Sequence, residues 1–84
     1  MNTNTIMANT RPIYAIAREI RKDWQKPSYC ALPYLDAMGC LSDISDTYGW
    51  DSATSIIRYF LSNASAWKGE TGKRIKAELK SMLK

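Results

Sequence analysis

Four lysines near the carboxyl-terminal end of the chain are spaced so that together they could bind an anion. They are Lys73, Lys76, Lys80 and Lys84. On an α-helix, with roughly 100° of rotation per residue, they fall within an arc of about 80°. Like charges at this spacing repel one another, and a phosphate backbone or a carboxylate-rich protein surface would relieve the repulsion. The pattern therefore predicts a basic helix face that binds a polyanion, with Arg74 contributing beside it.

The charged residues are segregated along the chain. Residues 11–26 carry five cations against two carboxylates, and residues 68–84 carry six against two, within a net charge of +4. Between these ends, the chain carries four aspartates and one cation, Arg58. The acidic middle could pack beside the basic ends and neutralise them, or the ends could stay free to bind a partner. In the second case Arg18 and Lys22, on the outward side of the first predicted helix, extend the binding surface.

Aromatic residues are numerous for a chain of 84 residues, with three tryptophans and five tyrosines. Most are expected in the core, because a small domain needs large side chains to bury enough area. Tyr48 and Trp50 lie in a predicted loop and form the expected exposed pair. Together with Trp67 they are candidate anchors for stacking on unpaired bases or for a protein interface.

The remaining polar residues do not form a recognisable catalytic or metal site. The chain has no histidine, so a serine or cysteine nucleophile lacks its usual base and a zinc site lacks a common ligand. Cys30 and Cys40 are predicted to be buried, reduced thiols. The segment from Gly69 to Lys73 has too few residues between its glycines for a phosphate-binding loop. We therefore expect no catalytic residues, no metal and no cofactor, and a protein that is not an enzyme.

Apolar residues recur at helical spacing and predict an all-α, small single-domain bundle of about four helices. The first helix is expected from about Arg11 to Gln25, with Thr10 as its N-cap and Pro12 in its first turn. A second, shorter helix should begin between Cys30 and Pro33. It should end before Gly39 in a left-handed cap.

The third and fourth helices are predicted from capping signals and apolar periodicity. The third should start after Trp50, with Asp51 or Ser52 as N-cap, and stop near Asn63. The fourth should start between Ser65 and Thr71 and continue to about Leu83. If only Ser62–Ala64 separates them, the pair could form a helix-turn-helix, with Glu70, Lys73, Arg74 and Ala77 facing a major groove.

The domain organisation follows from composition. Residues 1–10 are rich in Asn and Thr and are expected to be a disordered lead-in, with Met7 as an alternative start. Residues 11–84 should form the helical domain. Apolar residues make up 45% of the chain, and none of their runs is long enough to span a bilayer. No secretory signal opens the chain, so we expect a cytoplasmic protein in a bacterial host.

Three segments carry a resemblance to known proteins: residues 29–38 (YCALPYLDAM), 59–71 (YFLSNASAWKGET) and 76–80 (KAELK). Over residues 12–84 the chain resembles small uncharacterised proteins carried by bacterial phages, plasmids and integrative elements. Those proteins have a glycine-alanine pair where this chain has Cys30-Ala31, and alanine at the position of Gly72. The resemblance implies a mobile-element origin and supplies no functional residues.

These observations lead to two alternative functions. The first is a small non-enzymatic accessory protein of a mobile genetic element that binds nucleic acid or a nucleoprotein through its lysine-rich helix. The second is a protein–protein interaction module, with aromatic anchors and basic residues at the rim. Such a module could be an inhibitor of a host defence enzyme, of anti-CRISPR or anti-restriction type, or a homodimeric adaptor.

Overall fold

The computed structural model describes residues 11–83, which form four α-helices and one short β-hairpin. The elements in chain order are α1 (Ile13–Asp23), α2 (Leu32–Met38), β1 (Thr47–Tyr48), β2 (Asp51–Ser52), α3 (Ala53–Ser62) and α4 (Glu70–Met82). Helix α1 packs against α2 and α4, and α2 packs against α3. The predicted small, mostly helical domain is confirmed. The expected lead-in over residues 1–10, with Met7 and the Thr10 cap, lies outside the described residues.

Helix α1 begins two residues later than predicted, and another part of the chain caps its first turn. Pro12 is the N-cap and makes no side-chain capping hydrogen bond. The backbone N–H groups of Ile13 and Tyr14 instead donate to the carbonyl oxygens of Ser42 and Leu41, at 3.0 and 2.8 Å. Two of the free donors at this helix end are thereby satisfied by a distant loop.

The ends of α2 and α3 follow local sequence signals, with one difference. Ser52 is the N-cap of α3, and its hydroxyl accepts a hydrogen bond from the Ser55 backbone N–H at 3.1 Å. Gly39 ends α2 as predicted, but the left-handed conformation was wrong: its φ is −64°. The Gly39 N–H donates to the Leu35 and Asp36 carbonyls, at 3.1 Å each, so the last turn tightens without a left-handed residue.

The core combines the predicted apolar faces of the helices with two tryptophans. The side chains of Ile16, Ile20, Leu35, Ile57 and Leu79 are fully buried. Beside them the indoles of Trp24 and Trp67 stack, with ring centroids 5.6 Å apart and planes 6° from parallel. The Phe60 ring meets both indoles edge-on, at 6.2 and 6.4 Å. This aromatic cluster closes the end of the bundle where α1 ends and α4 begins.

Two expectations about burial were wrong. Cys30 and Cys40 are free but exposed; Cys30 precedes α2 and Cys40 follows it, so neither lies on the buried face of that helix. Most of the tyrosines are also exposed: Tyr14, Tyr29, Tyr48 and Tyr59 each retain more than a third of their surface. The core is supplied instead by isoleucine, leucine and the two stacked tryptophans.

Candidate functional site

The lysine face, which we define as Lys68, Lys73, Lys76 and Lys80, runs from the connection before α4 along one side of that helix. Lys68, Lys73 and Lys80 are exposed, and Lys76 is partly buried. Among residues 11–83, none of the four ammonium groups lies within 4.0 Å of a carboxylate oxygen. The face is therefore not neutralised by the acidic middle of the described chain. Lys84, also predicted for this surface, lies outside the described residues.

Lys76 lies at the inner edge of the face, against the aromatic cluster. Its Nζ donates to the Trp67 carbonyl oxygen at 2.7 Å and lies 5.8 Å from the centre of the Trp67 ring system. Burial lowers the pKa of this lysine, and the positive charges of Lys68 and Lys80 lower it further. Lys68 and Lys80 therefore lie near enough to Lys76 to act on its ammonium group as like charges.

A shallow cleft of about 490 Å³ opens where the lysine face meets the first turn of α4. Its lining includes Trp67, Lys68, Lys73 and Lys76, together with Gly69, the N-cap of α4. Gly69 has a φ of 99°, a conformation that side-chain-bearing residues rarely adopt. Glu70, in the first turn, adds a negative charge at the rim.

Arg74 was predicted as part of the binding surface, but it belongs to an ion-pair network on another side of α4. Its guanidinium lies 2.5 Å from Glu19 Oε2 on α1. Arg11 pairs with the other Glu19 oxygen at 2.8 Å and bidentately with Glu78, at 2.8 and 3.0 Å. Hydrogen bonds from Arg74 and then Arg11 lower the pKa of Glu19, so this carboxylate stays ionised between them. The network joins α1 to α4 and leaves Arg74 committed to an internal partner.

The two predicted cations of α1 lie apart from the lysine face. The Arg18 guanidinium carbon is 5.9 Å from the centre of the exposed Tyr14 ring on the same helix. Lys22 is exposed and lines a shallow cleft with Glu19 and Thr71, near the start of α4. The structure therefore brings Lys22 towards the first turn of α4, whereas Arg18 lies with Tyr14.

Trp67 was wrongly predicted as an exposed anchor. Only 3% of its surface is accessible, and its Nε1–H donates to Asp23 Oδ2 at 2.8 Å. The connection from α3 to α4 folds over the core here, so Trp67 is buried although it belongs to no helix. This connection covers residues 63–69, longer than the predicted Ser62–Ala64 and longer than the short turn of a helix-turn-helix.

Trp50 and Tyr48 are exposed, as predicted. Trp50 is fully exposed, at 102% of its reference surface, and Tyr48 retains 46%. Both belong to the short hairpin, which local reasoning did not predict because each strand has only two residues. Tyr29, which lies in the turn before α2 and is exposed at 88%, was missed as a surface aromatic.

Comparisons with known proteins add no family assignment. No protein-family model matches the chain, and searches of curated proteins and of solved structures gave no match. Within residues 11–83, no helix combines the length and apolarity needed to cross a membrane. The same residues hold no group of three or more His, Cys, Asp or Glu side chains that could bind a metal ion.

Proposed function

We propose that this protein is a small, non-enzymatic accessory protein that binds a polyanion, nucleic acid or a nucleoprotein, through the lysine face. The resemblance to proteins of phages, plasmids and integrative elements supports a mobile-element origin and a place in the cytoplasm of a bacterial host. Lys84 extends the same helical spacing and is included in the proposed surface. Lys22 and Arg18, which lie apart from the lysine face, act as outlying cations.

The observation that carries the proposal is the absence of carboxylate partners for Lys68, Lys73, Lys76 and Lys80 within residues 11–83. The chain has internal ion pairs, but they engage arginines: Arg11 and Arg74 with Glu19, and Arg21 with Asp36. These four ammonium groups thus have no ion-pair partner among the described residues, although Glu70 lines the same cleft. A row of phosphates would remove the repulsion among these lysines and release its own counterions on binding.

The surface suits backbone contact better than base-specific reading of a duplex. Lysine ammonium groups bind phosphates as point charges, and they carry no base specificity in that role. Arg74, the residue best suited to a bidentate contact with a base, is held by Glu19. We therefore expect affinity with little sequence preference.

A salt titration with matched charge variants tests the proposal. Binding of labelled single-stranded and duplex oligonucleotides is measured at several salt concentrations for the full chain, for K73Q/K80Q and for K26Q/R58Q. Each double variant lowers the net charge from +4 to +2, but Lys26 and Arg58 are exposed cations outside the lysine face.

The two double variants should behave differently. K73Q/K80Q should reduce the slope of log affinity against log salt by about 1.8 on duplex or about 1.4 on single strands. K26Q/R58Q should leave this slope close to that of the unmodified chain. An equal reduction of the slope in both variants would mean that net charge alone drives binding. Absence of binding by the unmodified chain at low salt would refute the proposal.

A second candidate function, the protein–protein interaction module, is favoured by the exposed Trp50 and Tyr48. Tryptophan and tyrosine are the residues that most often carry the binding energy of protein interfaces. An inhibitor of a host defence enzyme or a homodimeric adaptor would use such anchors. The predicted basic rim does not surround this pair, however, because the neighbouring charges in the chain are Asp46 and Asp51.

A further inference from the structure

The hairpin that carries Trp50 has a defined turn. Thr47 pairs with Ser52 and Tyr48 with Asp51, which leaves Gly49 and Trp50 as the two-residue loop. Gly49 has a φ of 63°, and glycine at the first loop position is what a type II′ hairpin turn requires. The geometry places a fully exposed indole at the tip of a tight turn.

Both ends of this segment are fixed to the core. Leu41 and Ala53 are buried on either side, and Ile44 packs against the core between them. The Ala53 N–H donates to the Asp46 carbonyl at 2.9 Å, which ties the start of α3 to the loop before the hairpin. A braced tip loses little conformational freedom when a partner binds, and that lowers the cost of association.

The charged residues of the hairpin and of the loop before it, over residues 41–52, are all acidic, and Arg11 lies across a cleft from Asp43. Among the described residues, Asp43, Asp46 and Asp51 have no cation within 4.0 Å. Asp46 Oδ2 accepts from the backbone N–H groups of Ser42 and Asp43, and Asp43 Oδ2 accepts from the Ser45 N–H. These bonds orient the two carboxylates.

The aromatic and acidic groups are also adjacent. Tyr48 and Asp51 are directly opposite each other in the hairpin, so their side chains share one face of it. Trp50 precedes Asp51 in sequence. A guanidinium can stack on an indole and at the same time donate to a carboxylate, whereas a phosphate would be repelled by these aspartates.

We infer that the acidic hairpin, defined as Asp43, Asp46, Tyr48, Trp50 and Asp51, is a docking surface for a basic protein partner whose arginine stacks on Trp50 while the aspartates supply the complementary charge. The inference deepens the second candidate function and does not depend on the lysine face. The charge of the surface selects a basic protein over nucleic acid, and the planar indole selects arginine over lysine.

Defined peptides serve as probes of this surface. A short capped peptide of alternating glycine and arginine is titrated into the full chain at physiological salt, beside the corresponding lysine and glutamate peptides. Binding is followed by anisotropy of a label on the peptide. Acrylamide quenching of tryptophan emission gives a second readout, since Trp24 and Trp67 are buried and Trp50 is exposed.

The arginine peptide should bind saturably and protect Trp50 from quenching. The variants W50A and D51N should each weaken it by about fivefold or more, as expected for loss of a cation–π or charge-assisted contact. Y29A is the matched control, because Tyr29 is an exposed aromatic outside the hairpin, and it should bind as the unmodified chain does. K73Q/K80Q should also bind the arginine peptide normally, which separates this inference from the lysine face.

Four results would overturn the inference. If W50A bound the arginine peptide as the unmodified chain does, the indole would not be part of the docking surface. If the glutamate peptide bound equally well, the surface would not select a basic partner. Protection of Trp50 by an oligonucleotide would assign the hairpin to nucleic acid. Protection that rises with protein concentration alone, together with a larger mass in sedimentation, would assign it to a second copy of the chain.

Discussion

Gly72 in the first turns of α4 lies against the indole of Trp67, and a Cβ at this glycine would be 3.2 Å from the ring and 3.3 Å from the Trp67 carbonyl oxygen. The indole has little room to move. It stacks on Trp24, meets the Phe60 ring edge-on and donates to Asp23. The glycine that weakens this helix by local propensity therefore leaves room for the indole that closes the core.

The variant G72A should consequently be less stable than the unmodified chain. Alanine is favoured over glycine by about 1 kcal/mol within a helix, but overpacking a fixed neighbour costs about 1–3 kcal/mol. We expect a net loss of about 1 kcal/mol in the free energy of unfolding, measured by urea denaturation. The variant A77G, at an exposed position of the same helix, measures the cost of glycine relative to alanine there, and its free energy of unfolding should fall by about 1 kcal/mol. A gain in stability for G72A would contradict the close packing.

Truncation to alanine should destabilise the protein strongly at Trp67 and hardly at all at Trp50. W67A removes a buried indole together with its hydrogen bond to Asp23, and we expect a loss of about 3–5 kcal/mol, enough to unfold much of the protein. W50A removes a fully exposed side chain and should change stability by less than about 0.5 kcal/mol. Thermal unfolding followed by circular dichroism measures both. Similar losses for the two variants would contradict the assignment of one indole to the core and the other to the surface.

The ion-pair network on Glu19 predicts a pH-dependent contribution to stability. The pKa of Glu19 is lowered from its ordinary value of 4.5 by Arg74 and Arg11, so the folded state binds its proton less tightly than the unfolded state. The stabilisation is therefore fully present above about pH 4.5 and is lost as the pH falls through the lower folded pKa. E19Q should lose about 1 kcal/mol at pH 7, a value typical of partly exposed ion pairs.

Denaturant titrations of E19Q and of the unmodified chain at several pH values check the direction in which the contribution of Glu19 to stability changes with pH. The difference in unfolding free energy between them should shrink as the pH falls below 4.5. The matched control is E70Q, because Glu70 has no ion-pair partner within the described residues and should show a smaller effect at pH 7. A difference that stays constant down to acid pH would contradict the assigned role of Glu19.

The parts of the fold that local chemistry determines could be predicted from the sequence. Ser52 caps α3 because its hydroxyl accepts a hydrogen bond from a backbone group three residues away. The placement of Lys73, Lys76 and Lys80 on one side of α4 follows from helical spacing, whereas Lys68 lies in the connection before the helix and had no such signal. The pairing of Arg74 with Glu19 could not be predicted, since it joins residues far apart in sequence. Trp67 lies in a connection without periodicity, and for that reason its burial gave no local signal. The hairpin around Trp50 was missed because strands of two residues leave no alternation to detect.

The hydrogen bonds from Ile13 and Tyr14 to the carbonyls of Ser42 and Leu41 have a consequence for the order of assembly. Helix α1 emerges from the ribosome before α2, but the groups that complete its first turn are synthesised only after α2. Until then the first backbone N–H groups of α1 can hydrogen-bond only to water, and a helix of this length is only marginally stable in isolation. Helix α1 thus depends on a later part of the chain to become stable.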